Sequence, residues 1–245
     1  MLINQTKSKL VGLGLHGMNR ALDLQLKTPD AFKLSFEERI GIIVDTEVNE
    51  RESKRISRLI KNAKLRYSSA SIEDFDFRPT RKIDQSLIMS LADCGWIKNN
   101  QNIIITGATG TGKSWSACAH GIQACRRNYT VYYATATQLF EQLANARMAN
   151  TLPKLKRSLI KTQVLIIDDF GIGGIDPELG PTLLDIVDLQ SQQGALIITS
   201  QYPTSKWYEF FDDPTIADAV LDRVIHHSHS IQLKGESMRK NKRKV

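Results

Sequence analysis

Apolar residues recur at helical spacing through the first quarter of the chain, and short β-branched runs take over beyond residue 100. Leu15, Met18, Leu22 and Leu26 return every three or four positions until Thr28-Pro29-Asp30 interrupts them, which predicts an amphipathic helix. Ser35 with Glu38 three residues on has the spacing of a capping box that opens a second helix. That helix is expected to turn Phe36, Ile40, Ile43 and Val44 inward. Its pattern runs past Val48 to Ile56, Leu59, Ile60 and Ala63, with a break expected near Asn49. No strand-like alternation precedes residue 100, so residues 1–66 read as a small all-helical domain. The polar, Ser-rich stretch 67–82 reads as a linker that packs Phe75 and Phe77 onto the next domain.

From Asp84 the texture changes. Ile103–Thr106, Thr130–Ala134, Val164–Ile167, Ala195–Thr199 and Ser230–Leu233 are short apolar runs separated by helix-length segments. Five such runs predict an α/β domain over 83–233 whose parallel sheet is covered on both faces.

The 33 Lys and Arg against 26 Asp and Glu are unevenly placed. Residues 1–66 hold 13 basic and 8 acidic side chains and residues 234–245 hold 6 and 1, so each end carries +5. The middle, with 14 basic and 17 acidic residues, carries −3. A mildly acidic body between basic ends suits an enzyme with polyanion-binding appendages. The sequence offers no apolar run of membrane-spanning length, and its first residues lack a secretory pattern. Cys94, Cys118 and Cys125 form no CxxC pair and read as reduced thiols, so a cytoplasmic protein is expected.

The first apolar run ends in Gly107-Ala108-Thr109-Gly110-Thr111-Gly112-Lys113-Ser114, a complete GxxxxGKS between a strand and the start of a helix reaching about Arg127. Glycines let the backbone turn N–H groups around phosphate oxygens, and the helix N-terminus adds a favourable dipole. Lys113 is expected at the β- and γ-phosphates and Ser114 on Mg²⁺. Trp115, next in the chain, is grouped with this cofactor-binding stretch, although its ring, like those of Trp96 and Trp207, reads as packing.

The run Val164–Ile167 ends in Asp168-Asp169 at the edge of the sheet where ligands bind in such folds. Asp168 is expected to hold Mg²⁺ and Asp169 to orient the attacking water. Ser200 or Gln201, at the tip of the following strand, is placed to sense the γ-phosphate, the alternative being a plain turn before Pro203. The chain lacks the Asn-Lys-x-Asp of switch GTPases and the Leu-Ser-Gly-Gly-Gln of transporter ATPases, which leaves ATP as the nucleotide. His226, His227 and His229 have no Cys or carboxylate array beside them and are not assigned a metal.

GATGTGKS, VLIIDDFG, ITSQYPTSKWYE, DPTIADAVLDR and the terminal GESMRK together resemble IstB-type insertion-sequence helper ATPases, AAA+ proteins related to DnaC-type helicase loaders. The stretch from Lys33 to Arg66 and IEDFDF at 72–77 resemble that family's helical domain and junction, so the resemblance spans about residues 10–240. It implies ATP- and Mg²⁺-dependent assembly on double-stranded target DNA, and recruitment or stimulation of a cognate transposase. It also implies a homo-oligomer with ATP at subunit interfaces. Arg223 resembles the AAA+ arginine finger offered to a neighbour's γ-phosphate, the alternative being a local pair with Asp218 or Asp222. Arg239 resembles a second sensor acting in cis. A helicase loader is the rival reading. Many AAA+ proteins carry Glu where this chain has Asp169, and the shorter side chain would slow hydrolysis and suit a timing switch.

Basic residues crowd 51–66. Arg51, Arg55 and Arg58 share a helical face, Lys54 and Lys61 flank them, and Lys64 comes after, with Glu52 the sole acid in the stretch. Such a stripe tracks phosphates without reading bases. The 239–244 run adds non-specific attraction.

Overall fold

The computed structural model describes residues 2–238, and the candidate sensor Arg239 and the basic run after it lie outside the described residues. By packing, the chain divides into Met1–Arg58 and Leu59–Val245. The division falls inside a helix, eight residues before the boundary expected at 66, because Leu59, Ile60, Ala63 and Leu65 join the core of the second unit.

The first unit holds helices α1 (Leu2–Gly12), α2 (His16–Lys27) and most of α3 (Phe36–Ala63). The capping box is present: Ser35 Oγ accepts the Glu38 amide at 3.2 Å, and Glu38 Oε2 accepts the Ser35 amide at 2.8 Å. The Ser35 amide bond, together with the smaller effect of the Ser35 hydroxyl, holds the Glu38 carboxyl below its usual range. No break occurs at Asn49, and α3 runs for 28 residues.

The expected inward face is corrected. Phe36, Ile40 and Val44 are exposed and only Ile43 of that set is buried. The α2–α3 contact is made instead by small and polar residues. Gly17, Ala21 and Gln25, one turn apart on α2, are buried. Glu47 Oε2 accepts the amides of Gly17 (2.7 Å) and Met18 (3.1 Å), satisfying donors that a helix N-terminus leaves open. A Cβ at Gly17 would fall 2.7 Å from the Glu47 Cα, so only glycine permits this approach. Gln25 and Arg39 complete the seam, with Gln25 Nε2 donating to the Arg39 carbonyl at 2.9 Å. Periodicity predicts that a helix has two faces, but it does not choose which one its neighbour covers.

The second unit carries α4 (Gln85–Leu91), α5 (Gly95–Lys98), β1 (Asn102–Gly107), α6 (Lys113–Arg126), β2 (Val131–Thr135), α7 (Ala136–Met148), α8 (Leu152–Ile160), β3 (Val164–Asp168), α9 (Gly180–Gln193), β4 (Ala195–Ser200), α10 (Pro214–Ile225) and β5 (Ser228–Leu233). The five strands fall where the apolar runs predicted them and pair in parallel in the order β2-β3-β4-β1-β5. Successive side chains enter opposite layers: Ile103, Ile105, Ile166 and Ile197 join one core, and Ile104, Leu165, Ile167, Leu196 and Ile198 the other. Helices cover both faces, which explains why the strands read as continuous apolar runs. In the expected linker, Phe75 is buried and stacks on Phe77 with ring centroids 5.9 Å apart. Among the described residues, no helix is long and apolar enough to cross a membrane.

Candidate nucleotide site

The loop between β1 and α6 is held by hydrogen bonds to three of its carbonyls. The Ala108 carbonyl accepts from Thr111 Oγ1 (2.8 Å) and Lys113 Nζ (3.1 Å). The Gly110 carbonyl accepts the Met238 amide at 2.8 Å. The Thr111 carbonyl accepts Arg81 Nη2 at 2.5 Å. Gly107 and Gly110 have φ of +151° and +85°. Added Cβ atoms there would strike the Leu233 carbonyl and the Ser237 side chain, so backbone angle and space both require glycine. Gly112, at φ +99°, caps α6 and aims its N-terminus into the site.

Asp168 closes β3 and is fully buried. Tyr133 Oη donates to its Oδ2 at 2.6 Å and Thr199 Oγ1 donates to its Oδ1. Burial first, and then the bond to Asp168, push the Tyr133 hydroxyl well above its usual range, so it stays a donor. The same Thr199 oxygen accepts the Asp169 amide at 3.0 Å, so one hydroxyl fixes both acidic positions. Asp169 has φ +59°, a conformation that side chains rarely adopt, and lines the cavity.

The two sensor candidates separate. Ser200 is fully buried, donates to the Phe170 carbonyl at 2.7 Å and accepts the Tyr202 amide at 3.1 Å. Gln201 lines the cavity, and its Oε1 accepts Thr109 Oγ1 at 3.1 Å.

A cavity of about 500 Å³ is bordered by the phosphate loop, Asp169 and Gln201, whereas Asp168 and Ser200 are buried and do not line it. The lining combines phosphate-loop residues such as Lys113 and Ser114, which suit phosphates, with Phe75, Ile83 and Met238, which suit a flat base, and it also includes the carboxylates Asp74 and Asp76. Trp115 packs edge-on against Phe75 at 5.2 Å and borders the cavity. Sequence reasoning missed Tyr67, Arg81, Ile83, Leu233 and Met238 as lining residues, because they come from the junction and from the end of β5 and beyond. Behind the cavity, His120 on α6 is buried and its pKa falls to about 4 through desolvation, opposed by its contact with the Ser116 carbonyl.

Arg223 sits elsewhere. Asp213 caps α10 and Pro214 occupies the first helical position, which starts the helix that ends near this residue. Arg223 Nε meets Asp188 Oδ1 on α9 at 2.5 Å, and Nη1 donates to the Ala219 carbonyl at 2.8 Å. The local partner is therefore Asp188, rather than Asp218 or Asp222. Asn102, at the start of β1, donates to the Arg223 carbonyl at 3.1 Å. The phosphate loop lies at the other end of that strand, about 17 Å away at roughly 3.3 Å per residue. Arg223 therefore does not serve its own loop.

The family described as "IstB-like ATP binding protein" matches residues 8–245 of the chain. The chain belongs to this family. It is similar to y4pL of Sinorhizobium fredii, named as an insertion sequence ATP-binding protein, with 38% identity over 244 residues, 100% of this chain and 99% of the relative. The IS1162 ATP-binding protein of Pseudomonas fluorescens is 42% identical over 205 residues, 84% of this chain and 89% of its own. Among solved structures, the DnaC helicase loader aligns with TM-score 0.58 at 14% identity, covering 69% of this chain and 99% of that one. The fold is that of an AAA+ P-loop ATPase, preceded by a helical region.

In this IstB-like chain the basic residues of 51–64 are not equivalent. Arg51 Nε donates to Glu47 at 2.6 Å, and Lys54 pairs with Glu50 at 2.7 Å. Arg55 and Arg58, in the same unit, are exposed and form no ion pair among the described residues. In the second unit Lys61 is exposed. Lys64 lies past the end of α3 at φ +54°, with its ammonium 5.9 Å from the Tyr132 ring centroid. The expected stripe, with Glu52 as its sole acid, left out Glu47 and Glu50, one turn upstream, which pair with Arg51 and Lys54. His226 pairs with Asp222, and His229 contacts Gln101 at 3.1 Å.

Proposed function

We propose that this chain is an ATP-dependent, DNA-binding helper of transposition that assembles on double-stranded target DNA and recruits or stimulates a cognate transposase. The phosphates lie against the loop from Gly107 to Ser114 with Lys113 at the β- and γ-phosphates, and the base packs against apolar lining residues such as Phe75 and Ile83. Ser114, on the cavity wall, would hold Mg²⁺, and Asp168, which is buried and does not line the cavity, would act on the ion through water. One hydroxyl and one carboxylate suit an ion that takes its remaining ligands from phosphate oxygens and water. Mg²⁺, when bound, neutralises developing charge on the phosphates. Asp169 orients the attacking water and Gln201 senses the γ-phosphate, whereas Ser200 fixes the strand end through Phe170 and Tyr202.

The observation that carries this reading is the separation of Arg223 from its own phosphate loop. A complete cradle at one end of β1 and an arginine at the other make a site that one protomer cannot finish. A homo-oligomer with ATP at subunit boundaries finishes it, and hydrolysis then loosens the assembly. Arg55 and Arg58, with Lys61 beyond them, supply phosphate contacts without base reading. Arg51 and Lys54 contribute where their acids release them. The exposed Phe36, Ile40 and Val44 offer α3 a surface for a protein partner.

The DnaC-like fold supports a second reading, a helicase loader whose substrate is a protein ring. Electron microscopy with duplex DNA under ATP, ADP and no nucleotide separates the two. We expect ordered assemblies on duplex with ATP only, absent from Lys113→Ala. A preference for single strands and a helicase ring would favour the loader. A protein that stays monomeric on duplex with a non-hydrolysable analogue would refute the transposition reading.

A further inference from the structure

We propose that Arg81 ligates the phosphate chain of the bound nucleotide, as a second cation beside Lys113. This rests on nucleotide occupying the cavity between the phosphate loop and Phe75. Arg81 ends a one-turn helix of residues Pro79–Arg81, in the segment that reads as linker. Its side chain enters the cavity wall and the residue is only 6% exposed. The terminal nitrogen that reaches the Thr111 carbonyl also lies 3.6 Å from where a Cβ on Gly112 would stand. The guanidinium therefore sits against the last residues of the phosphate loop, beside the N-terminus of α6.

Its charge is not balanced from within. Among the described residues Arg81 forms no ion pair, and its buried Nε has no hydrogen-bond partner. Asp76 senses the Arg81 charge, but its carboxylate is taken by the Arg78 fork at 2.6–3.0 Å. A guanidinium has five N–H donors, and a single carbonyl occupies one of them. Burying such a cation without an ion-pair partner is unfavourable, so a position of this kind is held for a ligand that brings negative charge. The phosphate chain of ATP is that ligand, and a planar fork suits two of its oxygens.

The test is titration of the full chain with ATP and Mg²⁺, using wild type, Lys113→Ala, Arg81→Met, Arg81→Gln and Arg81→Lys, with melting of each unliganded protein alongside. Gln can still donate to the Thr111 carbonyl but has no charge, whereas Lys keeps the charge and loses the fork. We expect Arg81→Met and Arg81→Gln to weaken ATP binding on the order of tenfold to a hundredfold, the range of a charge-assisted hydrogen bond. Arg81→Lys should recover part of that loss. Unliganded Arg81→Met should melt no lower than wild type, since it loses an unbalanced buried charge. The proposal fails if Arg81→Gln binds ATP within about twofold of wild type. It also fails if Arg81→Met lowers the unliganded melting temperature while Arg81→Gln restores both melting and binding, for then Arg81 only braces the loop. If wild type ignores ATP, or Lys113→Ala leaves binding unchanged, the nucleotide reading of the cavity falls instead.

Discussion

Arg223 is held by Asp188, Nε to Oδ1 at 2.5 Å, at the end of β1 remote from the phosphate loop. The pair joins α10 to α9 on a partly exposed surface, where such ion pairs contribute under about 1 kcal/mol. It orients the guanidinium without burying it, and a stronger acceptor on a neighbouring protomer can take it over. We expect Arg223→Ala to bind ATP within about twofold of wild type while its hydrolysis drops roughly 10³-fold, the scale of an arginine finger. Mixing it with Lys113→Ala should restore turnover, because each supplies what the other lacks. Mixtures as inactive as the separate variants would remove the assignment in trans.

Tyr133→Phe removes the hydrogen bond to Asp168 Oδ2 and leaves Thr199 on Oδ1. Groups that orient a metal-binding carboxylate typically account for about 10–100-fold in metal affinity or activity. Hydrolysis by the variant should need roughly tenfold more Mg²⁺ for half-maximal rate, with ATP affinity in the absence of metal unchanged. An unaltered Mg²⁺ titration would separate Asp168 from the metal.

His120 gives the fold a pH dependence. Its folded pKa of about 4 lies below the ordinary value of 6.5, so the unfolded chain binds the extra proton first. Stability from this group is complete above about pH 6.5 and declines as pH falls towards 4, by about 3 kcal/mol in all. Denaturant unfolding at about pH 7.5, above that window, and at about pH 4.5, near its lower end, should therefore show a larger loss for wild type than for His120→Leu. Equal losses would contradict this.

Arg51 and Arg55, both in the basic segment, should behave differently. Arg51 supports the buried Glu47, whose carboxyl is held low first by that arginine and opposed by desolvation. Arg51→Ala should lower both the melting temperature and duplex affinity. Arg55→Ala should weaken duplex binding alone, and make its dependence on salt shallower by about one counterion. A change in melting for Arg55→Ala, or none for Arg51→Ala, would reverse the roles.

Much of the site was legible before any coordinates. GxxxxGKS is a local motif, and each of its residues acts through its own backbone or side chain within eight positions. Asp168 and Asp169 were legible because a fully apolar strand must end somewhere, and its end faces the ligand edge. Arg81, Tyr133 and Thr199 were not, because nothing in their neighbours marks them. Their importance comes from contacts 30 or more residues away, to Thr111, Asp168 and Asp169.

Sequence alone determined the alternation of strands and helices, the phosphate loop and the charge of the segments, since these arise from local pattern and backbone chemistry. Tertiary structure alone decided which face of α3 was covered, which of Ser200 and Gln201 met the cavity, and where Arg223 stood relative to the loop. It also left Arg81 buried without an ion-pair partner among the described residues. Those are questions of which surfaces meet across the fold, and a one-dimensional pattern fixes a residue's neighbours along the chain but not its neighbours in space.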